Sequence, residues 1–487
     1  MKDLKSRTLR GGVARSSAQV ATFLLRTGCM IGFARLLGPT DFGLVGMVTA
    51  VTGFLSIFRE FGLSLATVQR SEITDEQTSA LFWINMVVGL LLCLTSVAIA
   101  PLVASFFGEP RLVPIMDVLG LGFLFNAAGV QHSALLQRQL QFTALAVIDV
   151  VALLVSSALS LVLAFRGAGY WSLVAWSLAL PLMTTLQLWL RARWVPGRPA
   201  WSVAAGSMLR FGGIVTLNTL VIHVAYNFDK VLLGRFHGAE AVGIYGRAFQ
   251  LVTLPIDMVN ATVGGVAISV LSRLQGDPVR LAAYFKKAYT LVLAVTIPVA
   301  FICAIFAEQI VQIMFGPKWN DAIPVFRLLA PTVLVFAIIN PTVWILVALG
   351  MVGRSLRIAF VIAPLVMAGC AAGLPYGANG VAFGFSAALT LWVVPHLVWC
   401  FRDTGVSMRD VGLSIGRPLI ASIVACACAL AILKWGIAGS SVLPIAIFGG
   451  GVFAAAYVAV LLFVMKQHGF YLDIVRGLRR PPEEAPT

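Results

Sequence analysis

Apolar runs of helix-spanning length recur along the whole chain, separated by short segments rich in Arg, Lys, Gly and Pro. At 1.5 Å of rise per residue, about twenty apolar residues cross the roughly 30 Å hydrocarbon core of a bilayer. The pattern predicts fourteen spans, near residues 15–36, 42–58, 79–105, 112–135, 142–165, 169–190, 211–234, 243–270, 288–307, 323–349, 355–374, 378–400, 416–434 and 442–465. Lone breakers such as Pro181, Pro298 and Pro364 do not argue against spans, because proline is tolerated in membrane helices.

An internal repeat organises these elements. Leu9-Arg10-Gly11-Gly12 matches Leu209-Arg210-Phe211-Gly212, Arg35-Leu36-Leu37-Gly38 matches Arg235-Phe236-His237-Gly238, and Gly43-Leu44 matches Gly243-Ile244, all at a shift of 200 residues without a gap. Looser matches follow in the same order, Phe107-Gly108 with Phe315-Gly316 and Gly167-Ala168-Gly169 with Gly377-Ala378-Asn379-Gly380. A duplicated half is the expected origin. The expected divisions are an N-terminal lobe over 1–195 with six spans and a C-terminal lobe over 196–403 with six. Two appended spans over 404–466 and a cytoplasmic tail over 467–487 follow. Equal halves of even span number are parallel repeats, related by an axis along the membrane normal.

Charge tests the span count, since a wrong number scrambles the alternation of basic loops. With the N-terminus inside, 25 of the 35 Lys and Arg residues fall on cytoplasmic segments and nine on the outer side, with Arg26 left inside the first span. Both termini are therefore expected in the cytoplasm. The net charge of +15 sits mostly on that face, where anionic lipid accounts for it without nucleic acid.

Composition agrees. Of 487 residues 59% are hydrophobic and 11% charged, with mean hydropathy +0.94. Soluble domains carry about 25% charged residues, so the chain is expected to be an all-α polytopic membrane protein. The seven cysteines all fall within apolar runs, with no disulfide framework and no metal-ligand spacing. The basic N-terminus leads into a first span without a clear small-residue cleavage site, so that span is expected to be retained. Neither a phosphate-binding Gly-rich loop with Lys-Ser or Lys-Thr nor a loop long enough for a soluble catalytic domain is present. No enzyme activity, cofactor or metal is expected.

The candidate chemistry lies in charges placed inside the bilayer, where a central Arg costs about 2.5–3.5 kcal/mol on insertion scales. Arg26 stands roughly 15 Å from either end of its span, too deep to snorkel easily, so it calls for a water-filled cavity, a partner carboxylate or an anionic ligand. The seventh span ends in Tyr226-Asn227-Phe228-Asp229-Lys230, where Tyr226 and Asn227 suit sugar or headgroup contact or an interfacial position. Arg59 ends the second span, and Arg247 opens the eighth, facing a cavity or the outer interface. Asp257 and Asn260, three apart on one helix face, suit a cation or proton site or a structural partner. Asp149 and Asp117 are lone carboxylates, and His132, His223 and His396 show no ligand spacing. Asp41 reads as a turn residue. Tyr170-Trp171 and Trp319 read as an interfacial aromatic belt.

Ala34-Arg35-Leu36-Leu37-Gly38-Pro39-Thr40-Asp41-Phe42-Gly43-Leu44, Phe228 to Arg235, Gly243 to Ala248 and Ser272-Arg273-Leu274-Gln275 resemble motifs of a known family. The chain is similar throughout to Wzx-type polysaccharide flippases of the multidrug/oligosaccharidyl-lipid/polysaccharide exporter superfamily, in the colanic-acid-exporter branch. It departs from them in having Val270-Leu271 where a Pro is expected. The resemblance implies two six-helix lobes around a V-shaped cavity, alternating access, and a bacterial inner-membrane location. It implies an undecaprenyl-pyrophosphate-linked oligosaccharide as cargo, with a polysaccharide polymerase and copolymerase as companions. Arg26, Arg59, Tyr226, Asn227, Lys230 and Arg247 are the residues expected to contact cargo. Asp149, Asp229, Asp257 and Asn260 are the candidates for ion coupling. An organic-cation exporter of the same fold and an integral-membrane glycan polymerase are the competing readings.

Overall fold

A computed structural model describes residues 2–59, 73–198, 206–436, 442–469 and 471. Residues 60–72, between the second and third predicted spans, and the tail from 472 onward lie outside these residues. In chain order the helices are α1 (Lys2–Leu36), α2 (Pro39–Ile57), α3 (Asp75–Phe107), α4 (Leu112–Arg138), α5 (Phe142–Phe165), α6 (Tyr170–Ala192) and α7 (Gly206–Val259). A π-helical turn (Asn260–Gly264) leads into α8 (Gly265–Arg273), α9 (Pro278–Ile305), α10 (Ala307–Met314), α11 (Ala322–Ile339) and α12 (Thr342–Ala348). The remainder are α13 (Val352–Gly373), α14 (Gly377–Phe401), α15 (Met408–Gly436) and α16 (Val442–Ala459).

All fourteen predicted spans fall on helix, and ten helical stretches among the described residues are long and apolar enough to cross a membrane. Spans seven and eight differ from expectation, because helix continues from Gly206 to Val259 and is interrupted only at Gly238 (φ 79°, ψ −174°), a backbone state that favours glycine. Span ten breaks between α11 and α12, where Pro341 supplies no N–H to carry the ladder across.

Local sequence sets the boundaries. Thr74 and Gln77 exchange side-chain and backbone bonds, both 3.2 Å, to open α3, and Gly108 at φ 68° closes it. Asp277 accepts the Arg280 amide at 3.0 Å, with Pro278 in the first turn of α9. Asp41 reaches back to the Gly38 amide at 3.1 Å, the turn role expected of it.

The chain forms two compact units, one of Met1–Gln250, Met314–Val325 and Val352–Ala388, the other of Leu251–Ile313, Phe326–Met351 and Leu389–Thr487. In the first, the inward face of α3 is rich in small and polar residues, beside the larger Phe82, Leu92 and Phe107, and its outward face is large and apolar. On α3, Asn85, Gly89, Cys93, Ser96, Ala100 and Ala104 are buried, while Leu90, Leu91, Leu94, Val97 and Leu102 are exposed. That inversion suits a helix with lipid outside and close-packed neighbours inside. Gly369-xxx-Gly373 on α13 crosses Gly380-xxx-Gly384 on α14 so tightly that a methyl on Gly373 or Gly384 would lie 2.0 Å from a facing carbonyl oxygen.

In the second unit, Phe285, Tyr289, Trp344 and Phe401 centre the core, and the Tyr289 hydroxyl donates to Ile338 O at 3.0 Å. His396 is buried against Thr342 Oγ1 at 3.0 Å, a packed histidine as its lack of ligand spacing suggested. The appended pair α15 and α16 docks on α9 through Lys286–Asp410 (2.7 Å), Thr290–Ser414 (2.8 Å) and the Tyr457 hydroxyl on Ala294 O (2.6 Å). Lys286–Asp410 and Thr290–Ser414 keep the same sequence offset one helical turn apart, so α9 and α15 run parallel. Spans nine and thirteen of the charge alternation have that same relation.

Candidate functional site

The turns that carry the repeat motif meet each other in the first unit. Pro39 starts α2, and its counterpart Ala239 follows the break in α7. A methyl built on Gly43 would lie 1.6 Å from Ala239 O, and one built on Gly243 would lie 1.9 Å from Pro39 O. Gly43 and Gly243 are matched positions of the repeat, as are Pro39 and Ala239, so the contact is reciprocal. Only the absence of both side chains lets the two backbones approach this closely.

Trp319 closes the same seam from the segment after α10. Its Nε1 donates to Ala34 O at the end of α1 at 2.8 Å, and its ring packs edge-on against Phe42 with centroids 5.3 Å apart. The side chain is 0% exposed. The aromatic-belt reading therefore fails for Trp319, because its indole N–H found a carbonyl inside the protein. Trp171, 37% exposed, remains compatible with it. Trp319→Phe removes one donor and leaves Ala34 O unpaired, and is expected to lower stability by about 1–3 kcal/mol, read as a loss of melting temperature in detergent.

A polar and aromatic cluster lies on the α7 side. Lys230 Nζ donates to Asn227 Oδ1 at 2.8 Å and stands 5.7 Å over the Phe249 ring. Phe249 meets Phe385 at 5.4 Å, and Tyr226 meets Phe385 at 5.8 Å. Arg247 places its guanidinium 4.0 Å over the Phe42 ring and also bonds Gln250. Phe42 thus meets the Arg247 guanidinium over its face and Trp319 edge-on, and a desolvated cation–π contact is worth about 2 kcal/mol. Four of the six residues expected to contact cargo, Tyr226, Asn227, Lys230 and Arg247, belong to this region.

The others stand elsewhere. Arg26 is exposed on α1 and makes no hydrogen bond or ion pair among the described residues. No carboxylate partner for it is found among the described residues. Arg59 is half-buried just past α2, and Asp149 is exposed on α5. Asp229 is 0% exposed, accepts the Lys230 amide at 2.7 Å and lies beside the buried Tyr245 hydroxyl. It is sealed in this conformation rather than ending a helix at the interface. Asp257 is exposed beside Thr253, and Asn260 lines a cleft with Asn340 and Trp344, both within the second unit. Sequence reasoning missed Phe42, Phe249 and Phe385, whose ring contacts leave no trace in hydropathy. The matched glycines were visible, but not that they touch.

Comparison with known proteins places this architecture. A profile described as polysaccharide biosynthesis protein matches residues 33–324. Lipopolysaccharide biosynthesis protein WzxC of Escherichia coli K12 is 25% identical over 431 residues, 86% of each chain. Teichuronic acid biosynthesis protein TuaB of Bacillus subtilis is 29% identical over 61% of this chain and 62% of its own. Succinoglycan biosynthesis transport protein ExoT of Rhizobium meliloti is 25% identical over 64% and 63%. Among solved structures, lipid II flippase MurJ in an inward closed conformation superposes with TM-score 0.75 at 13% identity, over 95% of this chain and 100% of that one. An inward-facing MATE family multidrug transporter gives 0.65 at 17%, over 80% and 98%. These likenesses show a shared polytopic helical fold. The profile match runs from the end of α1 to the start of α11 and takes in both reciprocal glycines and Trp319, and with it the chain belongs to the polysaccharide biosynthesis protein family.

Proposed function

We propose that this protein is a flippase that moves a lipid-pyrophosphate-linked oligosaccharide from the cytoplasmic to the periplasmic leaflet of the bacterial inner membrane. The oligosaccharide is a repeat unit for surface polysaccharide, carried on undecaprenyl pyrophosphate. The observation that carries the reading is Arg26, a cation deep in a predicted span and exposed, with no ion pair among the described residues, in a chain of this family. A pyrophosphate cannot cross hydrocarbon unaccompanied, and a fixed guanidinium lowers that barrier while the lipid tail stays in the bilayer. An organic-cation cargo would meet like charge at the same place.

In this reading the lobes 1–195 and 196–403 work by alternating access, with 404–466 appended and the tail 467–487 and the N-terminus in the cytoplasm. The reciprocal glycine seam closes the periplasmic side and parts when cargo leaves. Asp229, Asp257, Asn260 and Asp149 are the candidates for coupling to an ion gradient. A polysaccharide polymerase and copolymerase receive the product. Deleting the gene in a strain without a paralogue should abolish the surface polysaccharide and leave its lipid-linked repeat unit accumulating. Unchanged surface polysaccharide would contradict the proposal.

A further inference from the structure

A cleft of about 610 Å³ lies between α4 and α6, and its lining includes none of the seam residues and none of the residues so far given a role. One wall is Asn126, Val130, Ser133 and Gln137, spaced four, three and four apart on one face of α4. The other is Ser177, Pro181, Thr184 and Leu188, spaced the same way on α6. The lining holds no Asp, Glu, Lys or Arg.

The walls are fixed before anything binds. Thr185 Oγ1 donates to Phe125 O at 2.7 Å and Trp189 Nε1 to Ala128 O at 2.9 Å, so α6 is fastened to α4 through two backbone carbonyls. Gly129 permits this approach, since a methyl there would lie 2.6 Å from Thr185 Oγ1.

What remains facing the cleft is both donor and acceptor capacity. Asn126 spends one of its two amide N–H groups on Gly122 O at 2.7 Å, which leaves the other to donate and Oδ1 to accept. Thr184 donates to Leu180 O at 2.9 Å and keeps its oxygen lone pairs. Gln137 bonds Ser133 Oγ through one Nε2 hydrogen at 3.3 Å and keeps its second N–H and Oε1. Pro181 has no N–H, so the carbonyl of Ser177 one turn earlier loses its helical donor. Uncharged donors and acceptors left facing hydrocarbon would each cost several kcal/mol, so the cleft calls for water or a polar, hydroxyl-bearing occupant that can both accept and donate. A bare cation held by oxygens at about 2.3–2.6 Å needs far less room. The observed volume is that of a small-molecule site.

We propose that this cleft is a sugar subsite, which takes an uncharged part of the transported oligosaccharide and selects it through Asn126, Ser177, Thr184 and Gln137. The inference rests on the flippase reading for its ligand, and its division of labour is definite. Arg26 binds the part common to all such cargo, and the α4–α6 cleft reads the part that differs.

The test uses the full chain in lipid nanodiscs and two probes. One is the repeat-unit oligosaccharide cleaved from the lipid carrier of cells lacking this gene, and the other is undecaprenyl pyrophosphate without sugar. Asn126→Leu combined with Ser177→Leu fills the cleft without touching the Thr185 and Trp189 bonds. It should weaken oligosaccharide binding about tenfold or more and leave undecaprenyl pyrophosphate binding unchanged. Gln137→Ala, at the exposed end of the cleft, should weaken it several-fold with no loss of folding. Oligosaccharide binding equal to wild type in both variants would overturn the subsite, and so would a site stabilised by sodium or potassium chloride and indifferent to sugar. Should undecaprenyl pyrophosphate fail to bind the wild type while the oligosaccharide binds and the variants lose it, the subsite stands and the lipid-linked reading falls.

Discussion

Gly43→Val is expected to abolish polysaccharide export while the protein still accumulates in the membrane. Real Cβ atoms essentially never approach another heavy atom closer than 3.0 Å, and at position 43 one would stand 1.6 Å from Ala239 O. The obstacle is backbone on a helix, not the movable end of a side chain, so α2 and α7 must separate by more than 1 Å. Overpacking of this kind costs about 1–3 kcal/mol, and a branched side chain adds to it. Set against a two-state seam, that shifts the closed population by about 5- to 150-fold. Gly243→Val should give the same defect, because the matched methyl meets Pro39 O at 1.9 Å. Combining the two should cost less than the sum of both, since either alone already parts the seam. Gly246→Ala, three residues along the same helix with nothing within 4 Å of its added methyl, is the control and should export normally. The readout is surface polysaccharide in a complemented deletion strain, with membrane protein level measured alongside. Normal export by Gly43→Val would show that the seam has no part in transport.

Arg26→Ala should reduce export by about 10- to 100-fold, since hydrogen bonds to charged groups are worth about 1.5–3 kcal/mol. Stability should move the other way. A charge in mid-span costs about 2.5–3.5 kcal/mol on insertion scales, so a substitution that only removed a structural feature would not be expected to raise membrane stability while lowering activity. Arg26→Lys should restore part of the activity, because the ammonium keeps the charge but not the planar fork that grips two phosphate oxygens at once. The measurement pairs export in cells with melting temperature of the purified variant. Full activity in Arg26→Ala would remove the anion-binding role.

Much of the helical layout could be read from the chain because the bilayer punishes an unpaired backbone, leaving helix as the state of every long apolar run. The shared glycines at 43 and 243 were visible for the same reason that they matter, since a contact without side chains admits no other residue. Partner identity was not visible. In lipid, an apolar residue on an outward face and one in the core look alike, so hydropathy could not tell that Trp319 turns inward to Ala34 or that Phe42 carries the Arg247 guanidinium. Asp229 carried a charge signal in sequence but not the sign of its exposure, which depends on Tyr245 sixteen residues later on the same broken helix. The α4–α6 cleft was hidden for a further reason. Its two polar stripes are each unremarkable, and they become a site only when Gly129 and Thr185 bring them face to face.

The central claim is that this chain by itself carries a lipid-linked oligosaccharide across a bilayer. Purified protein is reconstituted in proteoliposomes loaded with the lipid-linked repeat unit of its own host, and the fraction of glycan reachable by a membrane-impermeant oxidant is followed over time. Wild-type protein is expected to bring the initially protected fraction to the outer surface, with empty liposomes and Gly43→Val showing no such exchange. Protection as lasting with the wild-type protein as in empty liposomes would contradict the account.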